Sequence, residues 1–181
     1  MKKRLSILTV TLEKRAAVFQ NLIRALNAQS DKTVEMLANL DSGEKSIGAK
    51  RNELLQAANG DYVVFVDDDD MVSPFYVSSI LKAIESNPDC CGLEGIITTK
   101  TFGPQKFIHS LKYTDWYEEN GIYYRCPNHL NPIKREIALD VKFPDISFQE
   151  DKDFSLRLKG KLQTEVYIDQ PLYYYYPSTT F

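Results

Sequence analysis

The chain of 181 residues is 43% hydrophobic and 26% charged, with a formal net charge of −3. A chain of this size buries roughly two thirds of the surface its unfolded form exposes, which points to one domain around one core, and the composition excludes a disordered chain and a coiled coil. The slightly acidic balance supplies no general basic field for nucleic acid, which is not expected as a partner.

The opening stretch MKKRLSILTVTLEKR imitates a secretory signal in its basic start, but Ser6 and Thr9 interrupt the apolar part and Glu13, Lys14 and Arg15 close it. Residues 5–10 therefore read as a first strand. Beyond Thr11, Phe19, Leu22, Ile23 and Leu26 recur at helical spacing. Residues 33–40 read as a second strand ending at the turn signal DSG, residues 41–43. Ser46 is placed to cap a helix reaching Ala58, with Ile47, Leu54, Leu55 and Ala58 on one face and Asn59 and Gly60 as its stop.

Residues 62–66, YVVFV, lack the alternation of a half-exposed strand, which predicts a central strand of a parallel sheet with helices over both faces. After Asp67, Asp68, Asp69 and Asp70, Ser73 and Pro74 form a cap followed by proline at the first helical position, and the helix should run to about Asn87. Short strands are expected at 93–99, 107–113 and 121–125. A short helix should follow Asn131, its expected cap, and Pro132, and another should span 147–158. With no repeat, linker or boundary, residues 1–181 form a single domain, and the β-α-β-α-β opening predicts an α/β sheet with binding at the carboxyl ends of its strands.

No window approaches the roughly 20 apolar residues that span a bilayer, so a soluble or peripherally attached protein is expected. The three cysteines, Cys90 beside Cys91 and Cys126 alone, fit neither a disulfide framework nor a CxxC metal pair, and agree with a reducing cytosol.

The four consecutive aspartates carry the chemistry. Two carboxylates about 4 Å apart repel by about 4 kcal/mol at an effective dielectric of 20, so such a cluster beside an apolar strand calls for something positive. A divalent cation, Mn²⁺ or Mg²⁺, takes one or two carboxylates and completes its shell with substrate phosphates and water, which predicts a phosphorylated substrate. The competing reading is an acidic helix N-terminus. It explains one or two aspartates, and Ser73 already fills the cap.

In order and spacing, SILTVT, DSG, IGAKRN, GDYVVFVDDDDMVSP, NHLNPIKREI, QEDKDFSLRL and PLYYYYPSTT resemble the inverting family 2 glycosyltransferases over nearly the whole chain. The resemblance implies their GT-A fold, a Rossmann-like three-layer α/β/α sandwich on a mostly parallel sheet. It also implies a nucleotide-sugar donor half at about 1–100 and an acceptor half at about 101–181. The family's D-x-D-D pattern overlays residues 67–70. That makes Asp69 the metal ligand, sets Asp67 toward the ribose or the metal's water shell, leaves Asp68 in the variable place, and has Asp70 bind the sugar or fix the loop.

Further implied are Thr9, Thr11 and Arg15 in the nucleotide pocket and Asp41 at the base edge, where a carboxylate suits uracil and favours a UDP-sugar. An Asx turn before Gly43 is the plain alternative for Asp41. In IGAKRN, Gly48 would allow close approach while Lys50 and Arg51 face the diphosphate, with solvated helix charges as the other reading. The E-D pair supplies the base, Asp151, while Ser147 and Glu150 spell a capping box. Glu150 can serve that cap as Asp151 reaches the acceptor hydroxyl. His129 is placed near the acceptor, the diphosphate or the metal, and His109 in a structural role. Trp116 with Tyr113 and Tyr117 is either a sugar platform or aromatic core.

The implied activity is metal-dependent inverting transfer from a nucleotide sugar to a saccharide or glycoconjugate acceptor, in polysaccharide or glycoconjugate biosynthesis. The expected location is the cytoplasm or the inner face of a membrane. Only PSTTF follows the YYYY segment, where many members continue. That leaves a complete donor site, a minimal acceptor region, and room for a missing C-terminal part or a partner protein. Of the rivals, a haloacid-dehalogenase-type phosphohydrolase wants its D-x-D strand near the start and a later G-D-x-x-x-D, and a nucleotidylyltransferase wants a glycine-rich first loop. A degenerate nucleotide-sugar-binding module ranks below the enzyme because Asp69 and Asp151 are both present.

Overall fold

Residues 2–99, 101 and 103–176 are described by a computed structural model. Its opening strands are β1 (Leu5–Leu12), β2 (Val34–Asp41) and β3 (Tyr62–Phe65), separated by α1 (Ala16–Asn27) and α2 (Ile47–Ala57). β1 lies between the other two and runs parallel to both, in register from Leu5 opposite Val34 and Tyr62. Alternate residues of the central strands face opposite layers. Leu5, Ile7, Tyr62 and Val64 join Leu22 and Leu26 of α1 in one core, while Leu8, Val63 and Phe65 join Leu54 and Leu55 of α2 in another. Because both faces of β3 are covered, every one of its positions is apolar and buried.

The chain continues through β4 (Met71–Val72), α3 (Tyr76–Ala83), β5 (Cys90–Ile97) and β6 (Gln105–His109), then β7 (Tyr117–Glu119), β8 (Ile122–Arg125), β9 (Ile133–Lys134), α4 (Arg135–Val141), α5 (Glu150–Lys159) and β10 (Glu165–Tyr175). α3 lies over the same core as α1, and α4 and α5 lie over the same core as α2, which gives the expected three layers. The sheet runs β2-β1-β3-β9-β5-β6-β8-β7, with β10 beside β5 and β4 beside β10. Its long ladders, β1 with β2 and β5 with β10, are parallel. The β7–β8 hairpin turns on Asn120 and Gly121, at φ 54° and 76°, the left-handed pair that a two-residue turn requires.

Three local expectations are corrected. α3 starts at Tyr76, with Phe75 rather than Ser73 in the cap position, because residues 71–72 are drawn into a strand against β10; its far end, a 3₁₀ turn closed by Asn87 at φ 58°, is as expected. Asn131 caps nothing. Ile133 and Lys134 pair with β3 and delay α4, while Asn131 is buried, its Oδ1 accepting from Asn128 N at 2.9 Å and its Nδ2 donating to Cys91 O at 2.8 Å. Nor does the Ser147–Glu150 capping box form. Gln149 opens α5 at φ 63°, Ser147 Oγ accepts from Ile47 N, and Glu150 is held by Arg51. All three cysteines are free and buried. No helix among the described residues is long and apolar enough to cross a membrane.

Candidate active site

The carboxyl ends of β1 and β3 open into a cavity of about 580 Å³ that also reaches β8 and the first turn of α5. Arg15, Arg51, Asp67, Asp68, Asp69, His129, Glu150 and Asp151 line it together. A second cavity, of about 450 Å³, lies at the other ends of the strands, beside Arg4, Gly60 and Tyr62. It holds none of the expected site residues, and open α/β sheets bind at the carboxyl edge.

The aspartate turn is held from three sides. Val66 N donates to Leu8 O, the last backbone bond that ties this segment to β1. From the far end of the chain, Tyr173 OH accepts from Asp67 N and donates to Asp70 Oδ2, and Tyr176 N donates to Asp70 Oδ1. Asp70 is thereby buried outside the cavity lining, in the loop-fixing position. Thr11 Oγ1 donates to Asp68 at 2.6 Å, and Arg15 Nη2 stands 2.7 Å from Asp68 and 2.5 Å from Asp69. Arg51 Nη2 lies 3.2 Å from Asp67, and His129 Nε2 lies 3.5 Å from it on the other oxygen.

The chain thus supplies its own positive charges to the cluster, which corrects the premise that only a bound cation could make it tolerable. Burial pushes the Asp67 carboxyl up, but His129 and Arg51 more than reverse this and hold it well below the usual carboxylate range. Burial raises Asp68, against Thr11 and Arg15. Asp70 is pushed up to about 8, by burial and then by the charge of Asp67, against the hydrogen bonds from Tyr173 and Tyr176.

Arg51 does more than face the cavity. Its Nη1 donates to the buried Glu150 at 2.9 Å, and its guanidinium sits 5.5 Å and 5.3 Å from the Phe65 and Phe143 ring centres. It therefore joins the end of β3 to the first turn of α5, where Asp151 lines the cavity, half-buried, accepting from the following backbone N–H at 2.8 Å. Lys50 is neither solvated nor at the cavity, against both expectations. It is buried, donating to Thr11 O and to Asp41 Oδ1. Asp41 also accepts from Gly43 N and Lys45 N, the Asx-turn arrangement, and its carboxyl is held down first by the Lys50 hydrogen bond. Thr9 is buried beneath the cavity lining. Gly48 does meet a close approach, from the Pro144 carbonyl, and its N–H donates to Ile146 O.

His129 is buried, its Nδ1 without a hydrogen-bond partner among the described residues. His109 is buried too, its Nδ1 donating to Asn131 Oδ1, which leaves Nε2 at the cavity wall as an acceptor with no partner among the described residues. Burial, then Arg125, hold its pKa well below the usual value, so it is neutral. Of the three aromatics considered as a platform, Trp116 alone lines the cavity, while Tyr113 and Tyr117 pack with Tyr124. Sequence reasoning missed Arg125, Phe148, Gln149 and Tyr175 in the lining; nothing in their local pattern marks them.

Among the described residues no group of three or more His, Cys, Asp or Glu side chains is gathered to hold a metal ion. The two aspartates most open to the cavity, Asp67 and Asp69 with side chains 35% and 21% exposed against 5% for Asp68, do fit a magnesium- or manganese-type site. Such ions bind through one or two carboxylates and take the rest of their shell from phosphate and water.

Residues 6–148 match the family model described as Glycosyl transferase family 2. A putative glycosyltransferase, EpsH of Bacillus subtilis (strain 168), is 24% identical over 149 residues, covering 72% of this chain and 42% of that protein. The crystal structure of S. aureus TarS residues 1–349 with UDP-GlcNAc superposes with a TM-score of 0.75 at 15% identity, over 98% of this chain and 60% of that one. The same fragment with UDP gives 0.74 at 18% identity, over 96% and 60%. The TarS likeness shows a shared GT-A architecture. The chain spans less than two thirds of the length of each of these relatives.

Proposed function

The chain belongs to glycosyl transferase family 2, and from that membership we propose that it moves a sugar from a UDP-sugar to a hydroxyl of a saccharide or glycoconjugate acceptor, with inversion at the anomeric carbon. In this proposal about 1–100 form the donor half and about 101–181 the acceptor half of one domain. The observation that carries it is the meeting of Asp67, Asp68 and Asp69 with Asp151 of α5 around one cavity at the carboxyl edge of the sheet. The TarS fragment that shares the fold is described with UDP-GlcNAc and with UDP, which supports a uridine nucleotide donor.

Asp69 and Asp67 are the residues that would hold Mn²⁺ or Mg²⁺. When bound, such an ion neutralises the charge that develops on a leaving diphosphate. Arg15, poised between two aspartates and open to the cavity, is placed to turn its guanidinium to the diphosphate. Thr11 keeps Asp68 oriented. Lys50 acts through Asp41 and Thr11, not on the phosphates. Asp151 takes the proton of the acceptor hydroxyl as that oxygen attacks, and Arg51, by anchoring Glu150, keeps the first turn of α5 in place.

The test is a melting shift with UDP and Mn²⁺, followed by UDP release from a panel of nucleotide sugars. Asp69→Ala should abolish the metal-dependent shift. Asp151→Asn should keep the shift and lower turnover by about 10²- to 10⁴-fold. Full activity in the Asp151 variant removes the base assignment, binding without release makes the chain a binding module, and the absence of both removes the proposal.

A further inference from the structure

The arginines around the cavity are not equivalent. Arg15 and Arg51 are each held by two carboxylates. Arg125, the last residue of β8, forms no ion pair among the described residues; its guanidinium lies 4.3 Å from the centre of the Trp116 ring. It is partly buried, and burial lowers its pKa, with Asp151 acting in the opposite direction. Lys152, also in the lining, has no carboxylate partner among the described residues either. A partly desolvated guanidinium without an anion is unfavourable, and stacking on an indole offsets only part of that. Such a group is prepared for an anion from outside.

Its placement says which substrate brings the anion. Trp116 orients the guanidinium, and Trp116 Nε1 donates to Ser155 Oγ of α5 at 3.1 Å. Arg125 is therefore set against the same helix that carries Asp151. The cations near the aspartates, by contrast, stand at the ends of β1 and β3. Resting on the glycosyl-transfer reading, with Asp151 at the acceptor hydroxyl, we propose that Arg125 forms an acceptor subsite for a saccharide bearing a phosphate or carboxylate group near the hydroxyl that receives the sugar. Lys152 adds a second positive charge on that side. The subsite selects acidic acceptors over neutral ones of the same shape.

Trp116 is the single tryptophan of the chain, so its emission reports on this subsite directly. The protein loaded with UDP and Mn²⁺ is titrated with matched pairs, a methyl glucoside against its 6-phosphate and against the methyl glucuronide. The acidic members should saturate the emission change at concentrations at least about tenfold lower than the neutral one. Which acid binds more tightly identifies the anion. Arg125→Gln should erase the gap while keeping the wild-type melting shift with UDP; if it does not fold, Arg125→Met, which keeps an apolar stem over Trp116, replaces it. Equal response to acidic and neutral members, or a gap that survives in the variant, overturns the subsite. Loss of the UDP shift also overturns it, by moving Arg125 to the donor. A protein that discriminates acids but shows no UDP shift keeps the subsite and loses the glycosyl-transfer reading instead.

Discussion

Replacing Arg51 by methionine removes one charge from the buried joint between the end of β3 and α5 while leaving a flexible apolar chain between Phe65 and Phe143. Glu150, its side chain 7% exposed, then loses its only ion-pair partner among the described residues. Asp67 is in a different position, because it is 35% exposed and keeps His129. The dominant loss is thus the unpaired Glu150 carboxylate. Removing one partner of a buried ion pair costs about 3–5 kcal/mol, and at this chain length 3 kcal/mol corresponds to a melting decrease on the order of 10 °C. Urea unfolding at neutral pH should show that loss. The double variant Arg51→Met/Glu150→Gln, which also removes the stranded charge, should recover about 2 kcal/mol of it. A loss below about 1 kcal/mol, the size of an exposed pair, or no recovery in the double variant, would show that this pair is not the joint described.

Four other outcomes are expected. At Gly48 an added Cβ would lie 1.8 Å from the Pro144 carbonyl oxygen, so Gly48→Ala should lose about 3 kcal/mol or more in urea unfolding. Gly103→Ala, where a Cβ meets nothing within 4 Å among the described residues, should stay within about 0.5 kcal/mol of the parent. Burial acts to raise the Glu35 carboxyl, but donors on Ser6, Asn59 and Gly60 hold it below its ordinary value. A depressed folded pKa gives stability that is present above the unfolded value and lost as pH falls. Glu35→Gln should therefore lose less stability than the parent between roughly pH 6 and pH 3, as read by unfolding at each pH. Cys90, Cys91 and Cys126 are buried, and burial pushes the Cys91 thiol up to about 12, so a thiol reagent should label none of them in the native protein and all after denaturation.

The α/β architecture was legible because its signals are local. The unbroken apolar run at 62–66 requires only that both faces of β3 be covered, and Ser46 caps α2 by accepting from Ala49 N within one turn. Asn87 stops the segment after α3 through its own left-handed backbone. By the same logic the end of β3 could be read as the place where aspartates collect. The two-residue strands β4 and β9 could not be read, since they carry no periodicity and exist only where β10, β3 and β5 offer a partner. Charge compensation was equally out of reach. The S-x-x-E signal at Ser147 is fuller than the lone serine cap at Ser46, yet Arg51, distant in sequence, binds Glu150 more strongly than a backbone N–H would. Lys50 turned to Asp41, Arg15 to Asp68 and Asp69, and Arg125 to no carboxylate among the described residues. Helical spacing, caps and turns depend on neighbours a few residues away, and these the amino-acid order determined by itself. Which cations are neutralised and which remain free for a ligand depends on distances through space, and only the folded sheet and its helices decided that.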